Sequence, residues 1–156
     1  MSEDVYIENV QVGDRFYSGE EIELTAEDII RFAREFDPQP GHLSEEEALA
    51  TPFKGLSASG WHTAAITMRL VVGLRLVGII GRSITISWPT AARPGDRLHV
   101  DLRVTGKRAS ATTPGRGVVN LEYDTINQHG EVRQHTEAVI VTWDNKEAFA
   151  ASGADS

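Results

Sequence analysis

The sequence predicts an α+β fold in which an antiparallel sheet wraps around one long buried helix. Residues 61–77 are apolar nearly all the way round a helical wheel, the mark of a core helix. Residues 83–88, 97–107, 117–127 and 132–143 are rich in Val, Ile, Thr and Tyr, and alternation is visible from His99 to Val104. Pro94-Gly95-Asp96 and Gln128-His129-Gly130 supply turns between these segments.

The elements follow in order. Val12-Gly13-Asp14 is a turn, and 15–24 is strand-like. Thr25 with Asp28 three residues on is a helix-start signature, and Ile29, Phe32, Ala33 and Phe36 then share one helical face. Pro38 disfavours helical geometry at Asp37, which stops that helix near Phe36. Ser44 with Glu47 starts a second helix over 45–50, which Pro52 ends, and 55–60 is loop before the apolar helix. Residues 1–144 form one domain, and 145–156 are expected to be a flexible, frayed tail. One strand, helices including a buried one, then four long strands is the α+β hot-dog arrangement. A single sheet of this kind leaves an edge open, so a homodimer or higher homo-oligomer is expected.

A chain of 156 residues can bury a core without covalent staples. There is no cysteine, which excludes disulfides, thiolate nucleophiles and cysteine-based zinc sites and suits a cytoplasmic location. The acidic start Met1-Ser2-Glu3-Asp4 is unlike a secretory signal. Arg69 and Arg75 interrupt the longest apolar stretch, so no membrane association is expected. A net charge of −8 argues against nucleic acid as a partner.

The candidate site centres on Asp37-Pro38-Gln39-Pro40-Gly41-His42, which sets a carboxylate and an imidazole five residues apart after a helix. Two prolines and a glycine favour a fixed, non-helical loop that presents both side chains to one water molecule. Taken alone, Asp37 also reads as a helix C-terminal or Asx-turn residue, His42 as a structural histidine and Gly60 as a turn glycine. Gly55 to Ser59 narrowly misses a nucleophile-elbow pattern, because its fifth residue is Ser. His62, His99, His129 and His135 lack metal-ligand spacing, so no metal is expected. Trp61, Trp88 and Trp143 read as packing residues. Arg82, Arg93, Arg97 and Arg108 read equally as solvated sheet edges or as a nucleotide-phosphate patch.

The run from Leu24 through Asp37 to His42 resembles the hydratase motif of the MaoC-like dehydratases, the (R)-specific enoyl-CoA hydratase family. Ser57-Ala58-Ser59-Gly60-Trp61-His62 resembles the family's glycine-containing loop ahead of the central helix. Trp88-Pro89, Ala92 to Asp96, and Asn127 to Gly130 resemble its sheet segments. The resemblance covers residues 8–143. It implies that Asp37 and His42 are the catalytic pair and that the Gly60 N–H binds the thioester oxygen. Gln39, Ser59, Trp61 and Thr63 are further pocket candidates. The motif usually carries Asn where this chain has Gln39. Some hydratases have a serine inside the central helix, where the nearest hydroxyls here are Thr63 and Thr67.

The implied activity is a hydro-lyase of fatty-acid type metabolism, hydrating a 2-enoyl-CoA reversibly to the (R)-3-hydroxyacyl-CoA. Asp37 would act as base on the water, His42 would hold it and move a proton, and Gly60 would stabilise the thioester oxygen. No resident cofactor is implied, since coenzyme A or an acyl carrier enters with the substrate. The alternatives are a non-catalytic acyl-thioester binder or subunit, and a hot-dog thioesterase. The last usually needs an acidic residue on the central helix, and residues 61–80 contain none.

Overall fold

The structure is a computed structural model that describes residues 3–76 and 80–153. Among these residues, six strands form one antiparallel sheet: β1 (Arg15–Tyr17), β2 (Ile22–Glu23), β3 (Ile80–Ser87), β4 (Arg97–Ala109), β5 (Arg116–Ile126) and β6 (Val132–Trp143). The order is β1-β4-β5-β6-β3, with β2 also paired to β4. The strand expected over 15–24 is thus two short pieces on one neighbour.

The helices are α1 (Ala26–Phe36), α2 (Pro40–Leu43), α3 (Glu45–Leu49), α4 (Gly60–Val72) and α5 (Lys146–Ser152). The expected starts of α1 and α3 are realised: Asp28 N donates to Thr25 Oγ1 and Glu47 N to Ser44 Oγ, both at 3.1 Å. Pro40 stands at the first position of α2, where its missing N–H costs nothing.

The concave sheet face carries Leu98, Val100 and Leu102 of β4, Val119 and Leu121 of β5, and Ile140 of β6. These pack against Ile66, Leu70 and Val71 of α4. Each fully buried aliphatic side chain of this kind contributes about 1.5–3 kcal/mol. The fold is therefore the hot-dog arrangement of sheet around helix.

Three expectations need correction. The central helix ends at Val72, because Gly73 caps it and Arg75 adopts a left-handed backbone (φ 64°); Val77 lies outside the described residues. Nor is this helix buried all round. Trp61, Met68 and Val72, at 63, 38 and 56% exposure, share one open stripe with Ala65. Where a frayed tail was expected, Lys146–Ser152 form a helix. Asn145 caps it, and Phe149 packs on Trp143 at 5.1 Å between ring centroids.

Candidate active site

Asp37 ends α1, its N–H donating to Ala33 O at 2.9 Å, and its non-helical backbone ahead of Pro38 (φ −153°, ψ 69°) turns the chain into α2. His42 therefore sits in a one-turn helix and not in a non-helical loop. Its N–H donates to Gln39 O at 2.9 Å, and Gln39 N donates back to Asp37 O at 2.8 Å. The two prolines fix the turn, but Pro at a helix start is compatible with helical geometry after it.

The His42 ring is 5% exposed, and its Nδ1 lies 2.6 Å from the carbonyl oxygen of Ser57. A carbonyl only accepts, so Nδ1 carries the hydrogen and the neutral ring presents a lone pair at Nε2. That Nε2 faces Asp37 Oδ2 at 3.6 Å. The separation is too long for a direct hydrogen bond and leaves room for a bridging atom.

Asp37 is held equally firmly. Gln39 Nε2 donates to Oδ1 at 2.6 Å, and the Ser59 hydroxyl donates to the same carboxylate. Burial pushes the Asp37 carboxyl up. The bonds from Ser59 and Gln39 and the charge of a protonated His42 outweigh it, so the carboxyl titrates below its ordinary value. The longer amide of Gln39 thus does reach the acid.

Ser59 is also the N-cap of α4, its Oγ accepting from Trp61 N at 3.2 Å. His62 N and Thr63 N donate to Ser59 O at 3.0 and 3.1 Å. Among the described residues the Gly60 N–H has no acceptor, and it opens the first turn of a thirteen-residue helix, where the dipole favours negative charge.

One cavity of about 260 Å³ gathers Asp37, Gln39, His42, Gly60, Trp61 and Thr63. Every residue expected in the site lines it except Ser59, which lies fully buried behind. The Thr63 hydroxyl turns back to Ser59 O at 3.4 Å, and Thr67 bonds Thr125 at 2.6 Å within the core. Phe53, Trp88, Thr90 and Ala92 complete the wall and escaped the sequence reading. Trp88 is not simply a packing residue. It meets Trp61 edge to face at 5.7 Å and donates from Nε1 to buried Gln134 Oε1 at 3.0 Å. A tryptophan just past a strand, before a Pro-Thr-Ala-Ala loop, is the available signal.

A buried polar cluster ties this wall to the sheet. Arg133 Nε donates to Asp96 Oδ2 at 2.9 Å, and its Nη1 to Thr90 Oγ1 at 3.0 Å. The Arg93 guanidinium holds the carbonyls of Phe53 and Gly55 at 2.5 and 2.9 Å. Burial raises the Asp96 carboxyl. The bonds from Arg133, Arg93 N and Asn127 overcome that and leave it below its ordinary value.

Two other groups lie apart from the cavity. His62 stacks on Phe32 at 4.7 Å, and burial lowers its pKa despite nearby Asp28. Glu122, His135 and Glu137 bring possible ligand atoms within 4.8 Å of one another on the outward sheet face. There His135 already engages Asp124 at 2.6 Å and Glu122 engages Arg103 at 3.1 Å.

A buried helix in a six-stranded antiparallel sheet, with an acid–imidazole pair at the helix mouth, defines a hot-dog protein. The family description "MaoC like domain" matches residues 8–125. A crystal structure of a MaoC-like dehydratase from Rhodospirillum rubrum is 49% identical, covering 90% of this chain and 98% of that one, with a TM-score of 0.87. The uncharacterized protein YdeM of Bacillus subtilis is 32% identical over 111 residues, 69% of this chain and 77% of its own. The R-hydratase PhaJ1 of Pseudomonas aeruginosa, unliganded, shares the fold at 23% identity and a TM-score of 0.71, over 91% of this chain and 88% of that one. The chain belongs to the MaoC-like dehydratase family. No helix among the described residues is long and apolar enough to cross a membrane.

Proposed function

We propose that the protein is a hydro-lyase that reversibly adds water across the C2–C3 double bond of a 2-enoyl-CoA, giving the (R)-3-hydroxyacyl-CoA. The observation that carries this reading is the 3.6 Å gap between Asp37 Oδ2 and His42 Nε2, at the floor of the cavity that Gly60 also lines. The other polar atoms of both side chains are already engaged, so the gap is what remains for water.

In this proposal the roles divide differently from the sequence expectation. A carboxylate held ionised by Ser59 and Gln39 is a good anchor and a weak base. Asp37 therefore accepts one hydrogen of the water and orients it. The Nε2 lone pair of His42 takes the other proton as the oxygen attacks C3. Electron density moves through C2 onto the thioester oxygen, where the Gly60 N–H stabilises it. The imidazolium then returns the proton to C2, so one water enters and no proton is gained or lost. A positioned acid–base group contributes about 10²–10⁴-fold, and one oxyanion donor roughly 10²–10³-fold. No cofactor is needed beyond the coenzyme A of the substrate.

The working unit in this reading is a homodimer. Among the described residues the eight-residue β3 ends the sheet with an unpaired edge, and the exposed stripe of Trp61, Met68 and Val72 is the apolar face a second copy covers.

The test is loss of the enone absorbance of crotonyl-CoA on mixing with the protein. Asp37→Asn and His42→Gln are each expected to lower kcat/KM at least 100-fold with the fold retained. Activity that survives both substitutions refutes the assignment. Tight binding without turnover across enoyl thioesters of several lengths makes the protein a non-catalytic binder instead.

A further inference from the structure

We infer that Arg82, Arg108 and Arg116 form an anion site for the nucleotide phosphates of the coenzyme A whose acyl end occupies the partner subunit's cavity. This rests on the hydro-lyase reading and the dimer proposed above.

Most arginines here are neutralised where they sit: Arg15 by Asp101, Arg97 by Glu21, Arg103 by Glu122 and Arg133 by Asp96. Arg82, Arg108 and Arg116 differ. All three are exposed, and among the described residues no carboxylate lies within ion-pair distance of any of them. They nevertheless line one cavity of about 300 Å³ at the β4–β5 hairpin, with Ser110 and Thr112 beside them and Val118 and Val141 beneath.

Their gathering follows from the chain. No Asp or Glu occurs from 102 to 121, although the net charge is −8. Lys107 of this stretch reaches back to the carbonyls of Ile7 and Val10, at 3.3 and 2.7 Å. Arg108 pairs in register with Val118, and Val118 with Val141; Arg116, opposite Trp143, lies two residues from Val118 on the same face of β5. Arg82 enters the same cavity from β3, at the register shift between Gly81 and Ser83, a break that re-aims a side chain. Three uncompensated guanidiniums around one cavity repel one another and create a positive potential that a multivalent anion relieves. Guanidinium forks suit phosphate oxygens in particular.

The position names the anion. Within one chain this cavity and the catalytic one lie at opposite ends of the sheet. Arg82 is near the start of β3, and Trp88 follows its end. Antiparallel pairing of β3 with its two-fold copy inverts one chain against the other. With the pairing centred on the strand, Arg82 stands opposite Thr85 of the partner subunit. That is about three residues, or roughly 10 Å, from the mouth of the partner's catalytic cavity. An extended pantetheine arm spans the remaining distance between a thioester and a nucleotide.

The test uses the full chain in two arms. Calorimetry with adenosine 3′,5′-bisphosphate, which has no thioester, is expected to show binding that the Arg108→Gln/Arg116→Gln double variant weakens at least tenfold. Arg34→Gln on α1 should leave it unchanged. In turnover, the double variant should raise KM for crotonyl-CoA about tenfold with kcat within twofold, and should leave KM for crotonyl-pantetheine unchanged. Equal bisphosphate binding by wild type and double variant overturns the site, as does an equal KM rise for both substrates. Inorganic phosphate binding as tightly as the bisphosphate overturns the nucleotide assignment. Absence of turnover with any thioester removes the hydro-lyase reading alone, and the calorimetric arm still decides the anion site.

Discussion

Gly60→Ala tests whether the helix mouth is shaped by the tryptophan that roofs it. A Cβ added at Gly60 would stand 2.7, 2.8 and 3.0 Å from Cε2, Cζ2 and Cδ2 of Trp88, well inside contact distance. The ring is not free to retreat, because Nε1 is bonded to buried Gln134, which itself donates to Thr136 Oγ1 at 3.0 Å. Overpacking of this kind costs roughly 1–3 kcal/mol. Pushing the ring off Gln134 would strand a buried acceptor, adding about 1–3 kcal/mol. Alanine's better helix propensity returns at most about 1 kcal/mol. Even with the full propensity gain and the ring's bond kept, the net cost is about 0–2 kcal/mol, and more if the bond breaks. For a domain of this length about 2 kcal/mol is a fall in thermal midpoint of roughly 4–8 °C. The assay is a double-mutant cycle by thermal unfolding, with Gly60→Ala introduced into wild type and into Trp88→Ala. With the indole gone the alanine should be neutral or stabilising. An equal cost in both backgrounds refutes the argument.

Gln39→Ala removes a bond that keeps Asp37 ionised, so the carboxyl pKa rises, which carbon-13 NMR titration of the Asp37 carboxyl reads directly; an unmoved titration counts against the Gln39 contact. Asp96→Asn breaks the buried pair with Arg133 and should cost about 3–5 kcal/mol by urea unfolding at neutral pH. The folded Asp96 titrates below its ordinary value, so its contribution is complete above about pH 4 and is lost as pH falls through the lower folded value. The gap between wild type and Asp96→Asn should narrow there, and a constant gap refutes the linkage. Met68→Lys with Val72→Lys puts two charges on the open stripe of α4 and should give monomers by sedimentation; an unchanged mass rules that face out of the dimer contact. Crotonyl-CoA hydrated in D₂O should carry deuterium and hydroxyl added from the same face, since one water and one imidazole serve both carbons; anti addition would exclude His42 as the group that returns the proton.

What could be read from the chain alone was whatever depends on neighbours in sequence. Thr25 and Ser44 cap as expected because capping involves residues three apart. Strands β4 to β6 follow from local alternation, their ends extended slightly by the ladder. The pair Asp37 and His42 was legible because the turn between them is short and proline-fixed. What escaped depends on distant partners. The residues 18–21 leave the strand because Ser18 bonds β4 through its own side chain and main chain, a contact 82 residues away. Composition gives the core helix a uniform apolar wheel, but one chain supplies a sheet to only one side of it, and Trp61 and Met68 stay outside. Trp88 joins the cavity only because β3 ends beside the start of α4. Arg93 and Arg97 read like Arg82 and Arg108 in sequence, yet the first holds loop carbonyls and the second pairs with Glu21.

The buried ions beside the cavity find their meaning in this geometry and not in stability. A buried pair such as Asp96 and Arg133 is close to neutral against an apolar replacement, because desolvation cancels most of the attraction. Its effect is positional. Asp96 accepts from Arg93 N and Arg133, Arg133 reaches Thr90, and Arg93 grips the main chain at Phe53 and Gly55. Two loops that bear cavity-lining residues, 50–59 and 88–96, are thereby fixed to β6 without filling the space between them. An apolar wall would gain by collapsing inward over the same 260 Å³. Hydrogen bonds with fixed directions do not. The same logic holds at the acid–imidazole pair, where Ser57 O sets the tautomer of His42 and Gln39 sets the free oxygen of Asp37. Asp37 Oδ2 and His42 Nε2 face the gap because the other polar atom of each side chain is held elsewhere.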